Sequence, residues 1–291
     1  MFRRPSKNFF QRICFGALFF FAAALIIGFS HERWGQWLFV FGLMAFQTVA
    51  LSEYSSLCYR TGHRIASKAL FLFSNLYLLA RCATVLSPSR ANLQYAVLLV
   101  GAFTTTLSFF RHFQFSLPNI ALTLLGFLLV TYPIGLMLDI NFLPRLIDES
   151  HTCFWLIWLL VVTKGSDMAA YLAGKSFGKH PLAPRLSPKK TVEGAICGVL
   201  AAAAISIALS FIHRKMHPIF LSIDVWGILG LGAGLLALCG DLSESLLKRS
   251  VGLKDSATIP GLGGTLDMLD SLIFTSPALY FYLSVTEVIP T

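Results

Sequence analysis

Charge is what this 291-residue chain has least of: only 13% of its residues are Asp, Glu, Lys or Arg, about half the share of a water-soluble domain. Against that stand 56% apolar side chains and a mean hydropathy of +0.71, a balance that excludes disorder and a water-soluble fold. Paired cysteines are missing as well. The six cysteines, at 14, 58, 82, 153, 197 and 239, stand singly, without a C-x-x-C, so neither a zinc site nor a disulfide scaffold has a foothold. They read as small buried hydrophobes in a protein built on the reducing side of a membrane. No nucleophile elbow and no Gly-x-Gly-x-x-Gly appears. Gly174-Lys175-Ser176 fails as a P-loop, because residue 169 is Ala where the loop needs glycine.

What the chain does have is a series of apolar runs long enough to cross a bilayer. Nine are expected, near 13–29, 36–51, 69–86, 93–110, 120–138, 152–166, 195–212, 219–240 and 272–289, the second and sixth short enough to be partly re-entrant. Arg81, near the end of the third run, is expected to reach the headgroups. The first run follows Arg3, Arg4, Lys7 and Arg12 like a signal peptide, but no cleavage site follows its apolar stretch, so a retained anchor is expected. With the N-terminus cytoplasmic, the inner connections collect 17 Lys and Arg and the outer ones 5, the asymmetry of the positive-inside rule. The net charge of +9 is thereby a matter of orientation, and a nucleic-acid partner is not expected. The fold expected is all-α, a polytopic helical bundle with cytoplasmic active-site loops. It divides into an N-terminal membrane region, 1–150, and a C-terminal catalytic membrane region, 151–291.

Chemistry concentrates between 163 and 271, where the two large inner loops and their flanks hold seven of the fourteen acidic residues: Asp167, Glu193, Asp241, Glu244, Asp255, Asp267 and Asp270. In C-G-D-L-S-E-S-L-L-K-R, Asp241, Ser245 and Lys248 stand at i, i+4 and i+7, placing a carboxylate, a hydroxyl and an ammonium on one helical face. In P-G-L-G-G-T-L-D-M-L-D-S, Gly261, Gly263 and Gly264 precede Asp267 and Asp270, two carboxylates one turn apart. With Asp241 they suit Mg²⁺, which takes one or two protein carboxylates and completes its shell with water and phosphate oxygens. The competing reading is that the two acids cap the last helix. Upstream, Lys164 and Asp167 lie one turn apart, as an ordinary ion pair also would. Ser187, Lys189, Lys190 and Thr191 form a basic, hydroxyl-bearing turn that suits a polyphosphate, or else anionic lipid. Glu193 leads into the next span. His213 and His217 have helical metal spacing without a third ligand and are read as incidental.

The run S-L-L-K-R-S-V-G-L-K-D-S-A-T-I-P-G-L-G-G-T-L-D-M-L-D, residues 245–270, resembles the motif of the CTP:phosphatidate cytidylyltransferases, also called CDP-diacylglycerol synthases. The stretches S-P-K-K-T-V-E-G at 187–194 and K-x-x-D-x-x-A-Y at 164–171 look like two further elements of that family, in the same order. Two positions depart: the family usually reads P-G-H-G-G and L-D-R-x-D, where this chain has Leu262 and Met268. The resemblance implies condensation of phosphatidic acid with CTP to CDP-diacylglycerol and pyrophosphate, on a multi-span protein of the lipid bilayer that often dimerises. A bacterial inner membrane is the expected location. On this reading Asp241, Asp267 and Asp270 hold one or two Mg²⁺ ions, with a monovalent cation left open. Lys189, Lys190 and Thr191 hold the triphosphate. Ser245, Lys248, Arg249 and Lys254 support charge on the lipid phosphate or leaving group, Asp167, Glu193 and Asp255 orient the lysines or join the metal shell, and Gly263 and Gly264 let backbone approach the ligand. The alternatives are a CTP-dependent kinase of a polyprenol or phytol and, from another class, a secondary transporter.

Overall fold

A computed structural model describes residues 27–28, 30, 32–86, 92–110, 116–142, 153–216, 221–250, 252 and 264–286. They form helices α1 (Arg33–Arg60), α2 (Ser67–Leu86), α3 (Leu93–Ser108), α4 (Ser116–Gly126) and α5 (Tyr132–Phe142), then α6 (Phe154–Phe177), a hairpin of strands β1 (Pro181–Ala183) and β2 (Ser187–Thr191), α7 (Val192–Met216), α8 (Ile223–Ser250), the short α9 (Thr265–Leu269) and α10 (Leu272–Val285). Seven helical stretches are long and apolar enough to cross a membrane, and α3, with 16 residues, is a shorter apolar helix. The protein is therefore an all-α polytopic membrane protein, as helices satisfy every backbone group inside hydrocarbon. The expected count of nine is not reached by the described residues, and the run at 13–29 lies almost wholly outside them.

Two runs read as short prove to be full-length. α1 extends over 28 residues and α6 over 24, so neither is re-entrant. Hydropathy underestimates both for the same reason. Polar residues well before their ends, Glu53 and Ser55 in α1 and Lys164 and Asp167 in α6, interrupt the apolar run without ending the helix. α4 and α5 are one span, joined by a π-helical turn at Phe127–Thr131. Pro133 has no N–H to give to the carbonyl four residues back, and the wider turn just before it resets the ladder. The turn also brings the Thr131 hydroxyl to donate to Ser74 Oγ at 2.7 Å on α2.

Helices α6, α7 and α8 pack as the tightest unit, and α10 fits against α5, α6 and α8. One end of that unit is closed by an aromatic cluster in which Trp155 and Trp226 stack at 5.4 Å and His213 lies 4.8 Å from Phe154. Trp158 Nε1 donates to Ser206 Oγ, which donates to the Trp226 carbonyl, tying all three helices together. His213 is thus a buried packing residue, and His217 lies outside the described residues. Cys58 and Cys82 are buried as expected, but Cys197 and Cys239 are exposed on the outer surface of the bundle.

Arg81 does not reach for headgroups. Its guanidinium is buried, ion-paired with Asp139 of α5, and takes further support from the Tyr77 hydroxyl at 2.7 Å. A guanidinium fork matched to a carboxylate removes both charges from the apolar interior at once, which an isolated arginine at that depth could not do. Leaving either charge alone is costly, by about 3–5 kcal/mol for a buried pair. Asp139→Asn should therefore lower the melting temperature of the detergent-solubilised protein more than the double change Arg81→Met/Asp139→Leu. Equal melting temperatures for Asp139→Asn and the parent would show that the pair contributes nothing.

Candidate active site

The functional residues gather where the C-terminal halves of α6 and α8, the start of α7 and the α9–α10 corner meet. On α8, Asp241, Glu244 and Lys248 share a face at i, i+3 and i+7, and α10 is pressed against it at Gly240, where a methyl group would run into the Asp270 carbonyl oxygen. This close approach is what a glycine permits and any larger residue forbids. It brings oxygens of Asp241, Glu244 and Asp270 within 4.8 Å of one another, a group able to hold a metal ion. Glu244 and Asp270 are buried and Asp241 is half-buried.

Each carboxylate is answered by an ammonium. Lys190 pairs with Asp241, and Lys248 pairs with both Glu244 and Asp267. Lys164 lies 3.4 Å from Asp270 and 3.6 Å from Asp167, and donates to Ser271 Oγ at 2.7 Å. Five carboxylates against three lysines leave two negative charges unbalanced when all are ionised, the charge that one divalent cation offsets. The donor set, hard carboxylate oxygens with no sulfur or imidazole, fits Mg²⁺.

Beside this cluster a cavity of about 510 Å³ opens between α6, α7, α8 and the hairpin; Asp167, Lys175, Lys189, Lys190, Thr191 and Asp241 supply its polar lining. Gly194 allows α7 to start against α6, since a Cβ there would sit 2.7 Å from the Ala170 carbonyl oxygen. Thr191 closes the wall, its hydroxyl accepting the Gly194 N–H at 3.2 Å. The basic turn of the sequence is therefore strand β2 of an antiparallel hairpin, with Pro181 opposite Thr191 and Ala183 opposite Ser187.

Several expected site residues have partners of their own. Glu193 accepts the backbone N–H groups of Lys179 and His180 and contacts His180 Nδ1 at 2.6 Å, fastening the strand that leads into the hairpin. Arg249 donates to the Leu186 carbonyl at 3.1 Å, pinning the hairpin tip to α8. Ser187 belongs to the hairpin ladder and does not line the cavity. Ser245 is half-buried on α8, one turn after Asp241. Asp267 accepts the Gly264 N–H at 3.3 Å, so the capping alternative describes Asp267 while Asp270 points into the cluster. Lys254, Asp255 and Gly263 lie outside the described residues.

Two residues were given no role from the sequence. Glu244, one turn after Asp241, carries the same i, i+3 signal as Asp267 and Asp270 and could have been found by it. Glu53 could not. This α1 carboxylate is 1% exposed and accepts the Leu266 N–H at 3.0 Å, holding the backbone of α9 from 213 positions away in the chain.

A sequence model of the cytidylyltransferase family matches residues 10–286. The chain belongs to that family. A Synechocystis relative named phosphatidate cytidylyltransferase is 30% identical over 287 residues, covering 89% of this chain and 92% of its own. Proteins of the same name from Chlamydia pneumoniae and Haemophilus influenzae are 36% and 39% identical over 167 and 142 residues. Those matches cover 57% and 47% of this chain and about half of each relative, 54% and 49%. All three elements named from the sequence lie inside the family match, and the fold brings parts of all three to this one site.

Two substitutions test the geometry. Gly240→Ala should push α10 away from α8 and reduce metal-dependent turnover at least tenfold while the protein stays folded. Glu244→Gln should weaken Mg²⁺ binding, read as a higher Mg²⁺ concentration for half-maximal protection against thermal unfolding; an unchanged midpoint would remove Glu244 from the metal group.

Proposed function

We propose that this membrane protein transfers a cytidylyl group from CTP to phosphatidate, releasing pyrophosphate and leaving CDP-diacylglycerol in the bilayer. The observation that carries the reading is the convergence of Asp241, Glu244 and Asp270 beside a cavity walled by Lys189, Lys190 and Thr191, at one end of a membrane-spanning bundle. A water-borne nucleotide and a bilayer-held phosphate can meet there.

The reaction needs no nucleophile from the protein. An oxygen of the lipid phosphate attacks the α-phosphorus of CTP, a new P–O bond forms, and the bond to the β-phosphate bridging oxygen breaks, its electrons leaving with pyrophosphate. Catalysis consists of in-line positioning and charge neutralisation. Lys189, Lys190 and Thr191 bind the triphosphate from the hairpin side. Lys164, donating to Ser271 and facing Asp270, is placed to receive an anionic oxygen at the reacting centre. Asp241, Glu244 and Asp270 would hold Mg²⁺, which supplies neutralisation of phosphate charge. Asp267 keeps Lys248 against Glu244 and caps α9, replacing the direct metal role expected from the sequence. Of the two substituted family positions, Met268 is not among these contacts and Leu262 lies outside the described residues.

We place this end of the bundle on the cytoplasmic side of a bacterial inner membrane. The distribution of Lys and Arg supports it, since the connections on this face carry most of them. In a reaction containing radiolabelled CTP, phosphatidate and Mg²⁺, the purified protein should release pyrophosphate and leave CMP on the lipid. Asp270→Asn should lower turnover by about 10²–10³-fold, the size of effect seen when charge stabilisation at a reacting centre is removed. Release of CDP with one further phosphate, and no CMP, added to the lipid would identify a kinase and overturn the assignment.

A further inference from the structure

A second polar site lies on the same end of the bundle, away from the carboxylates. Where α1 ends and α2 begins, a groove of about 440 Å³ is lined by Ser52, Ser55, Ser56, Tyr59, Arg60 and Ser67, with Phe71 completing its wall. Both helices are membrane spans that terminate here, so the groove sits at the level of lipid headgroups. Its donors can be counted. Ser52 gives its proton to the Val49 carbonyl, and Tyr59 and Ser67 share one hydrogen bond at 3.0 Å, leaving one of their two protons over. Ser55 is 5% exposed and its Oγ, buried at the groove, has no hydrogen-bond partner. A buried hydroxyl left without a partner is costly, which points to a ligand atom that completes it.

Charge around the groove is of one sign. Arg60 is exposed in it, Arg64 follows on the connecting turn and Lys68 in the first turn of α2, and among the described residues none of the three has a carboxylate partner. The turn is ordered by hydrogen bonds from Thr61, Gly62 and His63 back to Cys58 and Tyr59, with Gly62 at φ +80° supplying the left-handed step. Cations, free hydroxyl donors and an apolar wall at a membrane edge match a phosphate that arrives attached to acyl chains.

We propose that this groove binds the headgroup phosphate of an anionic phospholipid from the surrounding leaflet, at a site separate from the substrate site. The Arg60 guanidinium and the Ser55 and Ser56 hydroxyls contact the phosphate oxygens, and Phe71 lies along the first methylenes. The proposal does not depend on the catalytic reading, because none of these residues takes part in it.

The test is native mass spectrometry of the full chain released from nanodiscs of phosphatidylcholine with or without phosphatidylglycerol, phosphatidate being left out. The parent protein should retain phosphatidylglycerol in preference to phosphatidylcholine. Arg60→Gln should reduce that retention about fivefold, the weight of roughly one interfacial charge. Ser56→Phe, which fills the groove from its exposed side, should abolish it, and Lys190→Ala at the other site should leave it unchanged. Unaltered retention in both groove variants would overturn the proposal. So would displacement of the lipid by millimolar inorganic phosphate, which would mark a free-phosphate site. A dimer in phosphatidylcholine alone that Ser56→Phe converts to monomer would instead make the groove a contact between copies.

Discussion

Like charges crowded at the end of an apolar bundle repel, and much else in this half of the molecule serves to make that crowding tolerable. Glu244 and Asp270 are buried, and water cannot screen them as it would at a soluble surface. The protein answers with three lysines from three elements: Lys164 from α6, Lys190 from the hairpin and Lys248 from α8. Each is itself held by the charge it neutralises, so the lysines and carboxylates fix one another. With all five carboxylates ionised, two negative charges remain, which one divalent cation would offset.

The scaffold follows from this constraint. Asp241 and Glu244 share one helix face, but Asp270 can join them only if α10 comes into backbone contact with α8, which Gly240 allows. α9 must then turn tightly before α10, and its backbone is held by Asp267 from within and Glu53 from α1. The N-terminal helices consequently do more than anchor the catalytic half. A carboxylate from α1 is part of the support of the catalytic corner, so a boundary near 150 separates two stretches of sequence that share a functional structure.

The hairpin illustrates a division of labour among polar residues of one motif. In S-P-K-K-T-V-E-G, Lys189, Lys190 and Thr191 face the cavity, while Ser187 and Glu193 keep the strands and the α7 start in place. Arg249 adds a tie from α8 to the hairpin tip. Lysines on a hairpin fastened in this way would lose less freedom on meeting an anionic ligand.

Composition and periodicity alone determined that this chain spans a membrane, roughly where most of its helices run, and where between 163 and 271 its carboxylates and lysines cluster. Those properties are local: apolar length is read one segment at a time, and carboxylates one turn apart must share a helix face. Three things were decided only by tertiary structure. Arg81 and Asp139 are partners across 58 positions, Glu53 supports α9 across 213, and Glu244 rather than Asp267 completes the carboxylate group. Which of several acids faces a common point depends on how helices rotate against one another, and that rotation is set by packing at positions such as Gly240, which carry no charge to announce it.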